Sequence, residues 1–446
     1  MFDPKIFIIL ITLCLKNRLA SSEADYCYAD DTHPYLLHST ITAYEVEHGL
    51  IANTTVPNCK PIQIWMLTRH GTRYPSKSEI QSMKHDLPKL QLNIIENHLK
   101  GGNGTLCQKD LEKLKSWKVD ANLSKHNKKF LTKQGEDDLL QLGKRFRDYF
   151  PALLQSYPPD VLKDKYKFRS TDTQRTIASM EYFIKGLFGN LTVNNTEVVP
   201  TSEDVLLKLY KICKNWLDRG NNSEADRFAK SEIYGEVIGN VSQRLGFSKS
   251  LSYDDIQIMH TACAFETAWY IQNQKERSPW CAAFTEDELK IFEYEKDLHY
   301  YYHTSYGRNN SSDIGCPLLQ DMFKRFTELE NGDSSKEQQG VFYFSHSSAL
   351  QLFFTAMGIA EDATPLKASN FENMEDRKWR VSHLVPFAAN IAAIFYKCDS
   401  SNKVRFYLNE KPLHYEGCEN GVCDWEYLKK RFEAKVSNCN IDFCFK

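Results

Sequence analysis

The sequence predicts an α/β fold in which a mostly parallel sheet is flanked by helices and carries an inserted helical cap. Three short runs have the composition of strands, at residues 62–67, 166–169 and 340–344. Each run is followed by polar residues and then by a helical pattern, which is typical of an α/β sheet. The cap is predicted from residues 204–306, where the pattern is mainly helical.

The first strand leads into the most informative stretch of the chain. Nearly every position of residues 62–67 is hydrophobic, as in a strand that is buried on both faces. It is followed by the heptad Arg-His-Gly-Thr-Arg-Tyr-Pro at residues 69–75, in the place where open α/β sheets bind ligands. Helical spacing resumes over residues 78–99, interrupted by Pro88, and a glycine-rich loop follows at residues 101–104.

The later elements repeat this arrangement. Residues 135–150 predict an amphipathic helix. The second strand, 166–169, passes through a Ser-Thr-Asp sequence with good N-cap chemistry into another helix. The third strand, 340–344, is followed by His346, two serines and a helix that runs to Met357. Residues 385–397 and 403–408, joined by a polar turn, predict a closing β-hairpin.

These elements suggest a division of the chain. We expect a signal peptide at residues 1–22. The α/β core is expected to combine residues 23–80, 131–205 and 335–446. Two helical cap insertions are expected at 81–130 and 206–334. An apolar content of 42% and an aromatic content of 13% are ample for a substantial core.

Charge and the N-terminal segment limit the partners and the compartment. A net charge of −2 argues against nucleic acid as the main partner. Lys5, an apolar run at residues 6–15 and small residues near Ala20 resemble a secretory signal. That run is about half the ~20 residues of a membrane-spanning helix, and no later stretch is long and apolar enough to span a bilayer. We therefore expect a soluble, secreted protein.

The cysteines and glycosylation sequences agree with export. Of 13 cysteines, Cys14 lies in the signal segment, which leaves an even number for disulfides. The sequence does not determine their connectivity, although Cys418 with Cys423 and Cys439 with Cys444 are plausible local pairs. N-linked glycans are expected at eight Asn-X-Ser/Thr sequences, those of Asn53, Asn103, Asn122, Asn190, Asn194, Asn221, Asn240 and Asn309.

The heptad has the chemistry of a phosphate site. Arg69 and Arg73 carry guanidinium forks that match phosphate oxygens two at a time. His70 between them has a ring nitrogen that can attack phosphorus and form a phosphoimidazole. Gly71 is expected to let the backbone come close to the anion. The alternative, two surface arginines and a turn histidine, explains the whole heptad after a strand less well.

The heptad resembles the signature of the histidine acid phosphatases, and Thr72 with Tyr74-Pro75 is most similar to their multiple inositol polyphosphate phosphatase branch. The resemblance implies a histidine phosphatase-like fold with His70 as the nucleophile and Arg69 and Arg73 as phosphate ligands. It also implies a third arginine at the second strand-to-helix junction, and we assign that role to Arg169. Arg175, on the following helix, is expected to form a structural ion pair.

The third junction departs from the family pattern. The resemblance implies that His346 contacts the phosphate. The family places its general acid directly after this histidine, as Asp, or two residues after it, as Glu in the inositol polyphosphate branch. Here those positions are Ser347 and Ser348, which are well suited to cap the following helix. An acid from the helical cap, the substrate's own phosphates or solvent must then supply the proton.

Two further patterns concern the surroundings of the site. Residues 107–130 are rich in lysine, which usually indicates a solvated helix face. Some of these lysines could instead line the entrance for a polyanionic substrate. His299 and His303 have the i,i+4 spacing of metal ligands, but two histidines do not make a site, and we interpret them as packing or rim residues. No metal and no cofactor are expected.

We therefore expect a secreted phosphomonoesterase that acts through a phosphohistidine on phosphorylated small molecules. The resemblance implies that these substrates are inositol polyphosphates. The alternative is a catalytically impaired relative that binds phosphorylated ligands, because Ser347 and Ser348 replace the proton donor. A phosphomutase of the wider superfamily is a third hypothesis, and the signal segment and disulfides count against it.

Overall fold

The structure is a computed structural model that describes residues 26–191, 193, 196–217, 223–273, 276–332 and 337–446. The predicted signal peptide, Cys14, and the sequence positions Asn194 and Asn221 lie outside these residues. The other six predicted glycosylation asparagines are all solvent-exposed. Within the described residues, no helix combines the length and the apolar character needed to cross a bilayer.

One mixed sheet organises the molecule. Its strands are β1 (Cys59–Arg69), β2 (Tyr166–Thr171), β3 (Thr196–Val199), β4 (Gly340–Ser345), β5 (Asn390–Cys398), β6 (Lys403–Leu408), β7 (Lys411–Pro412) and β8 (Val422–Asp424). They lie in the order β3-β2-β4-β1-β5-β6-β7, and β8 pairs with β6. The four strands from β3 to β1 are mutually parallel, and β5 begins an antiparallel extension. The predicted α/β fold with a mostly parallel core is confirmed.

Helices surround this sheet. They are α1 (Tyr44–Glu47), α2 (Lys77–His85), α3 (Leu87–Gly101), α4 (Gln108–Ser116), α5 (Lys133–Tyr149), α6 (Pro159–Lys165), α7 (Gln174–Phe188), α8 (Leu209–Ile212), α9 (Lys214–Leu217), α10 (Ser223–Phe228), α11 (Glu232–Arg244), α12 (Tyr253–Trp269), α13 (Glu286–Thr304), α14 (Ser311–Glu330), α15 (Ser347–Met357), α16 (Val381–Leu384) and α17 (Trp425–Ser437). Pro88 lies in the first turn of α3, where proline is tolerated, so the predicted interruption separates α2 from α3.

The two faces of β1 enter different hydrophobic clusters because strand side chains alternate. Ile64 and Met66 pack with the apolar faces of α5 and α7. Trp65 and Leu67 pack in the larger cluster on the other side, which continues into the helices of residues 204–304. There Asp321 of α14 accepts a hydrogen bond of 2.9 Å from the Trp65 indole. The sheet is therefore buried on both faces, as the apolar runs indicated.

Six disulfides connect the cysteines of the described residues: Cys27–Cys107, Cys59–Cys398, Cys213–Cys444, Cys263–Cys281, Cys316–Cys439 and Cys418–Cys423. The predicted local pair Cys418–Cys423 is confirmed. The suggested pair Cys439–Cys444 is wrong, because these cysteines tie the C-terminal segment to α14 and to the turn after α8. The predicted hairpin is also confirmed, but its first strand begins at Asn390 rather than at Val385.

Candidate active site

The predicted site lies where parallel strands end. Strands β1, β2 and β4 finish at Arg69, Thr171 and Ser345, and their backbones bring these ends to one edge of the sheet. The His70 backbone N–H donates to the Ser345 carbonyl at 3.1 Å, which fixes the heptad beside the third junction. The heptad and His346 therefore meet at the edge where such sheets bind ligands.

Close packing against α5 holds the catalytic turn. A Cβ on Gly71 would lie 2.5 Å from the Gly135 carbonyl oxygen, and a Cβ on Gly135 would lie 2.1 Å from the Thr72 carbonyl oxygen. Asp138 of α5 accepts hydrogen bonds from the Thr72 backbone N–H and hydroxyl, at 2.8 and 2.7 Å. Gly71 is thus required by the neighbouring helix, a reason that the sequence pattern did not reveal.

The ring of His70 is held by a hydrogen bond through one of its two nitrogens. Its Nδ1 lies 2.9 Å from the Gly71 carbonyl oxygen, which can only accept a hydrogen bond. Nδ1 therefore carries the proton, and Nε2 keeps its lone pair. Burial, reinforced by Arg175, Arg69 and other nearby cations, holds the pKa of His70 well below its usual value. The imidazole is consequently neutral, as a nucleophile must be.

His346 lies beside this ring. The ring centroids of His70 and His346 are 5.6 Å apart. The Nη2 of Arg175 donates to His346 Nδ1 at 3.2 Å, and His346 Nε2 lies 3.2 Å from the Thr171 hydroxyl. Burial and the charge of Arg175 also hold the pKa of His346 well below its usual value.

Three guanidiniums surround the histidines, and none of them has a carboxylate partner in the described part of the chain. Arg69 is 2% exposed, and its Nη1 donates to the carbonyls of Thr40 and Val385, both at 2.7 Å. Burial and Arg73 lower the pKa of Arg69 to about 9, and burial and Arg73 lower that of Arg175 to about 10. Within the described residues, no carboxylate forms an ion pair with Arg69, Arg73 or Arg175. Concentrated, unneutralised positive charge favours the binding of an anion.

The structure does not bring Arg169 to this group. Its guanidinium forms ion pairs with Asp204 at 2.6 Å and with Glu197 at 3.1 Å. The register explains why: Arg169 lies opposite Tyr343, two residues before Ser345, which is the partner of Arg69. Two residues of a strand span about 6.6 Å, so Arg169 lies within the sheet and not at its edge. The expected convergence of Arg169 with Arg69 and Arg73 is wrong.

Arg175 occupies the place expected for Arg169. It lies in the first turn of α7, beyond the end of β2, and it donates to His346. The expectation that Arg175 forms a structural ion pair is wrong, since no carboxylate pairs with it among the described residues. A residue in the first turn of a helix that follows a strand lies beyond the end of that strand. This position of Arg175 is the feature of the sequence that could have indicated its place in the site.

The serines at the third junction are the first two residues of α15, and His346 is its N-cap residue. The expectation that Ser347 and Ser348 cap the helix is therefore wrong by one or two positions. A carboxylate is absent from this turn, as the sequence indicated. Within the described residues, the site thus combines a neutral imidazole with guanidiniums, and no carboxylate hydrogen-bonds to His346.

Of the lysine-rich segment, Lys129 lies beside the heptad, and the paired histidines contact each other. The Lys129 backbone N–H donates to the Pro75 carbonyl at 2.9 Å, and burial, Arg73 and Arg175 lower the pKa of Lys129. His299 and His303 of α13 stack with ring centroids 5.4 Å apart. Among the described residues, no group of three possible metal ligands includes them. One lysine of the run therefore lies at the pocket.

The depressed pKa values predict how the two histidines titrate. In the ligand-free protein, His70 and His346 should remain neutral from pH 8 to pH 5, because burial and neighbouring cations disfavour the imidazolium. NMR of 13C-labelled imidazoles tests this, with the signals assigned through His70→Asn and His346→Asn. In the urea-unfolded protein the same carbons should titrate near pH 6.5. A native midpoint near pH 6.5 for either histidine contradicts the expectation.

Known proteins resemble the chain over most of its length. Residues 62–409 match the model of the histidine phosphatase superfamily (branch 2). The chain is 34% identical to multiple inositol polyphosphate phosphatase 1 of Drosophila melanogaster, covering 98% of this chain and 93% of that protein. Its fold is similar to the phytase from D. castellii, with a TM-score of 0.73 and 19% identity over 90% of this chain and 85% of that one.

A second solved structure has the same fold. The multiple inositol polyphosphate phosphatase of Bifidobacterium longum, in complex with inositol hexasulfate, has a TM-score of 0.63 and 14% identity, covering 86% of this chain and 94% of that one. The heptad, the fold and the family match agree. The chain therefore belongs to branch 2 of the histidine phosphatase superfamily and is a phosphatase.

Proposed function

We propose that the protein hydrolyses inositol polyphosphates through a phosphohistidine on His70. The observation that carries this proposal is the free Nε2 of His70, held among His346 and three guanidiniums that form no ion pair with a carboxylate of the described residues. Arg69, Arg73, Arg175 and His346 would hold the phosphate oxygens while Nε2 attacks phosphorus. Water would then hydrolyse the phosphohistidine and release phosphate.

Additional cations support a substrate with several phosphates. Lys129 lies beside the heptad, and Lys211 is close enough to lower the pKa of Lys129 and of His346. Within the described part of the chain, neither lysine has an ion-pair partner. Once one phosphate is bound among the arginines, these lysines can attract the others. Multiple inositol polyphosphate phosphatases among the relatives agree with this substrate class.

We also propose that the protein is exported and glycosylated and that residues 81–130 and 206–334 form the cap. Six disulfides in a family member with exposed glycosylation sequences support an oxidising compartment. Within the second range, α14 packs against the sheet, because Asp321 accepts hydrogen bonds from Trp65 and Tyr343. The boundary of the cap is therefore best placed before α14.

The proposed function predicts a covalent intermediate and release of phosphate. The wild-type protein should release inorganic phosphate from inositol hexakisphosphate, and enzyme quenched in alkali, where phosphohistidine is stable, should carry one phosphate on His70. Phosphate assay and mass spectrometry of the His70 peptide measure both outcomes. The absence of a carboxyl at residues 347 and 348 favours the second candidate, an impaired phosphate-binding relative. Turnover of p-nitrophenyl phosphate without turnover of inositol hexakisphosphate supports that candidate and contradicts the first.

A further inference from the structure

We propose that the phenol of Tyr300, on α13, donates the proton to the leaving oxygen when a phosphate ester is cleaved. This inference rests on the proposed phosphohistidine chemistry. The departing oxygen of an alkyl phosphate is strongly basic and needs a proton in the transition state. A phenol can donate that proton, and it is a far stronger acid than an aliphatic alcohol.

The carboxylates around the pocket are already engaged in other contacts. Asp172 accepts from the ammonium of Lys208 at 2.6 Å, and Asp204 accepts from Arg169 at 2.6 Å. Glu79 accepts from the backbone N–H of the N-cap residue of α2 at 2.6 Å. Asp138 accepts from the backbone and hydroxyl of the heptad threonine. Each of these four carboxyls stabilises another part of the described chain, which favours a different group as the proton donor.

Hydrogen bonds connect Tyr300 to the phosphate ligands. Its hydroxyl lies 3.1 Å from the Thr40 hydroxyl, and the Thr40 carbonyl accepts from Arg69 Nη1 at 2.7 Å. The Tyr300 oxygen also opposes the effect of burial on the pKa of both Arg69 and Arg73, which places it near both guanidiniums. Tyr300 therefore lies on the side of the pocket formed by α13 and the Thr40 segment.

The exposure of Tyr300 distinguishes it from Tyr210, a second phenol near the site. Tyr210 is 7% exposed and lies near Arg175, Ser345 and Asp204. Tyr300 is only half-buried. Because the leaving alcohol must extend from the phosphate toward solvent, its oxygen is reached more easily by a group at the mouth of the pocket than by a buried one.

The reaction balances with these groups alone. In the first step, His70 Nε2 bonds to phosphorus, the phosphorus–oxygen bond to the leaving group breaks, and the Tyr300 proton moves to the departing oxygen. The tyrosinate that remains is next to two guanidiniums, which stabilise its charge. In the second step, the tyrosinate takes a proton from water, whose oxygen attacks phosphorus and releases phosphate and neutral His70.

Tyr300→Phe tests the inference because it removes only the hydroxyl. The kcat/KM of glycerol 2-phosphate, which reports on the first step alone, should fall by about 10²–10⁴, the usual effect of a positioned general acid. The kcat/KM of p-nitrophenyl phosphate should change by less than about threefold, since its leaving group needs no proton. A series of substituted phenyl phosphates should show a steeper dependence on leaving-group pKa in the variant than in the wild type. Vanadate inhibition should be unchanged, which shows that the phosphate pocket is intact.

Two further variants serve as controls. The Tyr302 hydroxyl, on the same helix, donates to the Leu366 carbonyl at 2.7 Å, and Tyr302→Phe should leave both esters unaffected. Tyr210→Phe should also keep the wild-type dependence on the leaving group. If Tyr210→Phe, and not Tyr300→Phe, steepens that dependence, the inference is overturned. It is also overturned if Tyr300→Phe lowers the kcat/KM of both esters equally or of neither.

Other outcomes test the proposed function and can be told apart from those that test Tyr300. If the wild type cleaves neither ester, or if His70→Ala cleaves them as fast as the wild type, the phosphohistidine mechanism fails and the role of Tyr300 fails with it. If His70→Ala is inactive while Tyr300→Phe keeps the wild-type ratio of the two esters, only the role of Tyr300 is wrong.

Discussion

Replacing His70 with alanine is expected to lower the turnover of every phosphate monoester by about 10⁴–10⁶, the range found when an enzyme loses its covalent nucleophile. The arginines cannot replace it, because a guanidinium holds oxygen but does not attack phosphorus. Steady-state rates on p-nitrophenyl phosphate give the most sensitive measurement, because cleavage of that ester depends least on help from the other residues of the site.

The same variant should still bind phosphate. The hydrogen bonds of Arg69 run to the carbonyls of Thr40 and Val385 and do not involve the imidazole. Calorimetric titration with phosphate or vanadate measures this binding. His70→Asn, which fills more of the space of the ring, distinguishes loss of the nucleophile from collapse of the pocket. Near-normal turnover in both variants would show that His70 does not form the intermediate.

The second large effect is expected at Arg175 and not at Arg169. Arg175→Lys keeps the positive charge but loses the guanidinium fork. A lysine could then not donate to His346 and to a bound phosphate at the same time, as the arginine would. Loss of one such stabilising donor typically costs about 10²–10³ in rate. Rates on one ester and the affinity for vanadate should both decrease.

Arg169→Lys is the matched control. Its ammonium can keep the ion pair with Asp204, and the exchange should change rates by less than about fivefold, in keeping with the small energy of such pairs. If Arg169→Lys is severely impaired while Arg175→Lys is nearly normal, the assignment made from the sequence was correct and the assignment made from the structure is wrong.

The sequence was sufficient to locate the residues of the site that come directly after a strand. The apolar runs before His70 and before His346 identify buried strands, and both histidines lie just beyond the ends of those strands, where ligands bind. Arg169 was misassigned because a sequence pattern shows that a residue is near a junction but not on which side of the sheet edge it lies. The register of β2 with β4 decides this, and it depends on pairing between segments about 170 residues apart.

Tyr300 could not be identified from the sequence. It lies in a tyrosine-rich stretch of α13, and nothing in the local pattern separates it from Tyr301 or Tyr302. Only the packing of α13 against the Thr40 segment makes one of the three a neighbour of Arg69. The disulfides were undetermined for a related reason: proximity in the chain favours Cys439–Cys444, whereas the packing of α14 brings Cys316 to Cys439.

The order of the strands has a consequence for biosynthesis. Strand β1 lies between β4 and β5, both of which are made from the last quarter of the chain. The sequence separation of Cys59 and Cys398 is 339 residues, so at a synthesis rate of about 5–20 residues per second Cys59 waits roughly 20–70 s for its partner. During that time β1 has neither of its neighbouring strands, and His70 lacks the residues that surround it in the finished fold.

The thiol chemistry of that interval is equally constrained. Cys27 and Cys107 are both synthesised long before Cys398. In an oxidising compartment, the native pairing requires them to form a disulfide with each other while Cys59, which lies between them in the sequence, stays unpaired. An early bond from Cys59 to either of them would have to be broken by thiol–disulfide exchange before the sheet could close. Formation of the native sheet therefore requires Cys59 to stay unpaired, or to be released again by exchange, until Cys398 is available.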